Sequence, residues 1–124
     1  RIFDLVKSKT DAKLFYHCCG SVRDLIPDLI DIGVDVLNPV QVSAKGMNTE
    51  ELKSEFGDRM TFWGAIDTQK ILPMGSTDEV REEVNRRINH LSGDGGYVLT
   101  SVHNIQADVP PENIVTMYDT ARNY

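Results

Sequence analysis

The sequence predicts an α/β protein of plan α(βα)4 with a parallel sheet, and three observations carry the prediction. Short apolar runs alternate four times with segments of helical periodicity. Each helical segment brings its own start and stop residues, which fits parallel βα units better than hairpins. Polar residues collect in the connections that follow the strands, while the connections leading back into strands are short glycine-containing turns.

Ile2, Leu5 and Val6 read as the tail of an opening helix. The first strand is expected at Leu14 to Cys19. Ser21, with Asp24 three residues on, is expected to cap the next helix, whose Val22, Leu25, Ile26, Leu29 and Ile30 recur at helical spacing before Gly33 stops it. Val34 to Leu37 forms the second strand. Asn48 and Glu51 then open a short helix through Leu52 and Phe56 that stops at Gly57, and Met60 to Trp63 forms the third strand, with Phe62 and Trp63 as core. A longer loop leads to Ser76 and Glu79, a capping box, and Val80, Val84, Ile88 and Leu91 stripe the helix behind it up to Gly93. Its acidic opening, Asp78, Glu79, Glu82 and Glu83, reads as a solvated face favoured by the helix dipole. Tyr97 to Val102 is the fourth strand, and Pro110 and Pro111 suit the first turn of a last helix that buries Ile114, Tyr118 and Ala121.

The chain has 124 residues, 40% of them hydrophobic and 26% charged, enough for one core, so a single domain is expected over residues 1–124. A net charge of -6 argues against nucleic-acid partners, because phosphate contacts need clustered Lys and Arg. No apolar stretch approaches the roughly 20 residues that span a bilayer, and no signal-peptide layout opens the chain, so no membrane association and a cytoplasmic location are expected. Cys18 and Cys19 are adjacent and read as thiols in a reducing compartment. The chain opens on Arg1 within a helical pattern, which gives the expectation of a piece of a longer protein.

The connections after the strands hold His17, Cys19, Asn38, Gln41, Asp67, Gln69, His103, Asn104 and Gln106. Ligands bind at the carboxyl ends of the strands in barrels and in doubly wound sheets, so a site is expected there. His17-Cys18-Cys19-Gly20 is the sharpest signal. Alternate strand side chains share a face, so His17 and Cys19 can reach one ion while Cys18 packs against a helix. His90, near a helix C-terminus, reads as an imidazole meeting the dipole.

Several segments together resemble the C-terminal half of the uroporphyrinogen decarboxylase superfamily, nearest its cobalamin-dependent methyltransferase-like members. They are His17-Cys18-Cys19-Gly20, the run Asp31 to Gln41, Phe56-Gly57-Asp58, Phe62 to Asp67, Gly95-Gly96-Tyr97 through His103-Asn104-Ile105, and Pro111 to Ile114. The resemblance implies the second half of a (βα)8 TIM barrel, since a whole barrel takes about 250 residues. An open half leaves two strand edges and an apolar inner face in water, so self-association into a homo-oligomer through those edges is expected.

The resemblance also implies chemistry. In the thiol-methylating members a His-x-Cys-Gly strand end supplies two zinc ligands, here His17 and Cys19, and the third position, a Cys in those members, falls on His103. Zinc accepts either atom type. A small-molecule thiol entering the open zinc position would lose its proton and attack a methyl group on a corrinoid such as methylcobalamin, free or on a corrinoid protein, with reduced cobalamin departing. Asp67 joins His103 as a catalytic candidate, and Asn38, Gln41, Gln69, Asn104 and Gln106 are expected to bind the thiol's polar end or a corrinoid amide. Two other readings stand beside this one. The first is metal-free porphyrinogen decarboxylation, a lyase reaction in which His103 also fits. The second is a half-domain that works only with its missing N-terminal half.

Overall fold

The structure, a computed structural model, describes residues 2–124. In order the elements are α1 (Ile2–Lys7), β1 (Phe15–His17), a 3₁₀ turn (Arg23–Leu25), α2 (Ile26–Asp31), β2 (Val36–Val40), α3 (Thr49–Phe56), β3 (Thr61–Ile66), α4 (Ile71–Met74), α5 (Thr77–Leu91), β4 (Tyr97–Ser101) and α6 (Pro111–Arg122). The four strands form one parallel sheet in the order β1-β2-β3-β4. The α/β plan with four parallel strands is as expected, and the helices cover one face of the sheet.

Helix starts follow their chemistry with one exception. The Asn48 side chain accepts from the Glu50 and Glu51 amides, and Ser76 and Glu79 form both bonds of a capping box, together satisfying orphan amides of α3 and α5. Ser21 does not cap its helix. Its hydroxyl donates instead to the Lys45 carbonyl (2.6 Å), and the chain enters α2 through the 3₁₀ turn without a side-chain cap, with Pro27 in the first turn. The loop expected after β3 contains a further short helix, α4.

The core lies between sheet and helices. Leu37, Phe62 and Ala65 from the strands meet Ile26, Leu52 and Phe56, and Cys18 packs against this cluster as expected. A second cluster joins Ile66, Leu72, Val80, Val84 and Met117. In α6 the buried positions are Asn113 and Met117, with Ile114 and Ala121 packed beside them, whereas Tyr118 is exposed. Helical phase explains the correction, since 113 and 117 define the inward line and Tyr118 sits about 120° from its centre. Asn113 donates from its amide to the carbonyls of Leu72 (2.9 Å) and Gly75 (2.7 Å), fastening α6 to α4.

Glu83 departs from the solvated face. It is 3% exposed and receives Nε and Nη2 of Arg87 at 2.9 and 2.8 Å, while Arg87 Nη1 donates to the buried Thr49 hydroxyl (3.0 Å), which also bonds His90 Nδ1 (2.8 Å). This polar clamp holds α3 to α5. Breaking a buried pair of this kind by removing one partner costs roughly 3–5 kcal/mol.

On the other face of the sheet Phe15 and Trp63 meet edge to face, ring centroids 5.2 Å apart. Phe62 is fully buried against the helices, but Trp63 points to this open face and is only half-buried, as alternation along a strand requires. Gly64, at φ +116, lies so close to β2 that a Cβ there would stand 3.2 Å from the Val40 amide nitrogen, and Ala65 follows at φ 74. At the opposite end of the strands Asp35 pairs with Lys7 and accepts the Leu14 amide (2.7 Å). Burial raises the Asp35 carboxyl pKa, but the Lys7 bond, the Leu14 amide and the two nearby lysines outweigh it and hold it below the ordinary 3.8.

Three outcomes follow. Gly64→Ala should destabilise the chain by about 1–3 kcal/mol in denaturant unfolding, from positive φ and the crowded Val40 nitrogen together. Because the folded pKa of Asp35 is depressed, its contribution is present above the unfolded value and is lost as pH falls through and below 3.8, so Asp35→Asn should flatten the acid limb of the stability–pH curve. In light scattering the 124-residue chain alone should be larger than a monomer, because β1 and β4 are both open edges; a monodisperse monomer with cooperative unfolding overturns that expectation.

Candidate functional site

Parallel pairing places His17 directly opposite Asn38. Immediately after this pair the Cys18 amide donates to the Asn38 carbonyl (2.7 Å), and the chain turns at Gly20 (φ +92), whose amide donates to Gln41 Oε1 (2.8 Å). His17 Nδ1 lies 2.6 Å from Asn38 Oδ1, and His17 Nε2 lies 3.3 Å from Cys19 Sγ. Both side chains are exposed at the carboxyl edge of the sheet. The structure therefore brings His17 and Cys19 together.

His103 does not complete a set with them. Among the described residues no three His, Cys, Asp or Glu side chains are grouped so as to hold one ion. The physical reason is sheet order: β1 and β4 are opposite edges, so three strand spacings put about 14 Å between their backbones. The expected third ligand is thus out of place beside the pair, though His103 shares clefts with both members.

Two clefts flank the loop that follows β4. One, of ≈ 360 Å³, is lined by Cys19, Gln41, Asp67, Gln69, His103 and Gln106 among others. The second, of ≈ 570 Å³, is lined by His17, Asn38, Trp63 and Thr100, and Val102, His103 and Asn104 wall both. All nine expected site residues therefore line one cleft or the other. A comparable surface cleft between α5 and α6, lined by Arg81, Asn85 and Asp119, lies away from the strand ends and carries no thiol or imidazole.

Several of these side chains also organise backbone. Asp67 is 7% exposed, and its Oδ1 accepts the Gln69 amide (2.8 Å) while its carbonyl accepts that of Leu72 (3.0 Å), so it shapes the turn into α4. Gln106 donates to the Asn104 carbonyl (3.1 Å), and the Ser101 hydroxyl to the His103 carbonyl (2.7 Å). Tyr97 donates its hydroxyl to the Gly64 carbonyl (3.0 Å), and burial pushes the phenol well above its ordinary value, keeping it a neutral donor. Thr100, Ser43 and Trp63, the last expected only as core, line the clefts without having been expected in the site. Strand alternation would have found Trp63 and Thr100, which share the open face with His17 and Asn38.

Comparison with known proteins fits this architecture. A family profile described as uroporphyrinogen decarboxylase (URO-D) matches residues 1–124. The methionine synthase of Methanothermobacter thermautotrophicus is 26% identical over 99 residues, which are 79% of this chain and 32% of that protein. A solved methyltransferase from Methanosarcina mazei superposes with a TM-score of 0.76 at 21% identity, covering 98% of this chain and 34% of that one, and so shares the fold. The chain spans about a third of the length of these two proteins. Among the described residues no helix is long and apolar enough to cross a membrane. With the profile running over the whole sequence and a parallel half-barrel beneath it, the chain belongs to the uroporphyrinogen decarboxylase family.

Proposed function

We propose that this chain forms the zinc-binding half of a corrinoid-linked methyltransferase, acting at the carboxyl edge of its sheet on a small-molecule thiol. The observation that carries the reading is the 3.3 Å separation of His17 Nε2 and Cys19 Sγ. Nitrogen and sulfur ligands at about 2.0 and 2.3 Å on a tetrahedral ion stand about 3.5 Å apart, so the pair fits two corners of a zinc site with little movement. Zinc bound there would stabilise a substrate thiol as its thiolate near neutral pH. Similarity to a protein named methionine synthase supports methyl transfer as the reaction class, and the corrinoid or corrinoid protein as methyl-carrying partner is what the motif resemblance implies.

The chain's own residues divide the work. His17 and Cys19 are the two ligands, and His103 serves as a third only by moving toward them from the far edge of the sheet. Asp67 and Gln69 face the ≈ 360 Å³ cleft beside Cys19, where they can hold a polar substrate end. Trp63, which Phe15 meets edge to face, gives the open face an apolar floor next to His17. The remaining barrel wall comes from outside the four strands present here.

Metal analysis tests the reading first. Zinc is expected at about one equivalent per chain and is expected to vanish in the double variant His17→Ala, Cys19→Ala with circular dichroism unchanged. With the whole barrel, methylcobalamin and a thiol should give the absorbance change of demethylated cobalt. Metal-free wild-type protein of intact fold, with no cobalt change, overturns the proposal and leaves metal-free decarboxylation and a half-domain without activity of its own as the standing readings.

A further inference from the structure

We infer that Asn38 is a positioning residue that fixes His17 in the Nδ1–H tautomer, so that Nε2 presents a lone pair toward Cys19. The inference rests on the proposed zinc reading for its purpose, but not for its geometry. An amide oxygen can only accept, so the 2.6 Å approach of His17 Nδ1 to Asn38 Oδ1 requires the proton on Nδ1. The neutral ring then has an unprotonated Nε2, which faces Cys19 Sγ at 3.3 Å. The bonds run in one direction, from the Cys19 thiol to Nε2 and from Nδ1–H to the Asn38 amide.

A ligating imidazole needs this arrangement, because the metal takes the nitrogen whose partner across the ring is held by a hydrogen bond. Asn38 differs from the carboxylate often found in that role by carrying no charge, so it orients the ring without adding a negative group beside the Cys19 sulfur.

The bracket is wider than one bond. The Asn38 carbonyl accepts the Cys18 amide at 2.7 Å, and Gln41 Oε1 accepts the Gly20 amide at 2.8 Å. Residues 38 and 41 therefore grip the strand end on both sides of Cys19. Each side-chain oxygen gives one of its two lone pairs to this strand end, and the amino groups stay available as donors for the substrate contacts expected of these residues.

Nitrogen-15 NMR of the metal-free chain tests the inference directly. Wild-type His17 should show Nδ1 protonated and Nε2 bare near pH 8, Asn38→Leu should shift the ring toward the Nε2–H form, and Asn38→Asp should restore Nδ1–H. A wild-type ring protonated on Nε2 overturns the inference without any variant, as does a ring unaffected by Asn38→Leu. In parallel, zinc or cobalt(II) affinity should fall about 10–100-fold in Asn38→Leu and recover in Asn38→Asp. A tautomer shift in protein that binds no metal upholds the role of Asn38 and removes the zinc reading alone.

Discussion

The site depends on the parallel register of β1 and β2, which sets residue 17 against residue 38. From that pairing follow the ring bond, the grip of the Asn38 carbonyl on the Cys18 amide, and the turn that brings the Cys19 sulfur back beside the imidazole. A slip of one residue would send every β1 side chain to the opposite face, placing His17 among the helices and Cys18 in the cleft. The register is protected by what each face contains. Tyr16, Leu37 and Phe62 lie on the apolar side, and Phe15 and Trp63 on the other.

Much of this was legible because the sequence punctuates its elements with physical signals. Asn48, Ser76 and the Pro110-Pro111 pair mark helix starts that the structure keeps, to within a residue. Ser21 misled because its hydroxyl finds a carbonyl far along the chain, a competitor that no local window contains. Glu83 misled because its partner Arg87 is local but is tied in turn to buried Thr49 on another helix, a link outside any local window. His17 and Cys19 could be paired from strand alternation alone. Their relation to His103 could not, because it is set by strand order across the sheet and by the course of the loop after β4.

The two sheet faces are unequal in a way that bears on function. The helix-covered face holds the fully buried residues, including Leu37, Phe62 and Ile66. On the open face sit Phe15, His17, Asn38, Trp63 and Thr100, apolar near the middle of the strands and polar toward their carboxyl ends. The packed core and the cleft-lining polar residues therefore occupy opposite sides of the same four strands. Asp35 and Lys7 secure the amino-terminal edge, away from the clefts, which is the division expected of barrels.

The amide of Asn113 has a reach beyond its own helix. Its two bonds end on Leu72 and Gly75, just past the turn that Asp67 shapes, so the closing helix acts as a buckle on the stretch carrying Asp67 and Gln69. Unfastening it would strand two inward-facing oxygens without donors and release that stretch at its far end. The rim of the ≈ 360 Å³ hollow is thus tensioned from the last dozen residues, a remote lever on a surface those residues never line.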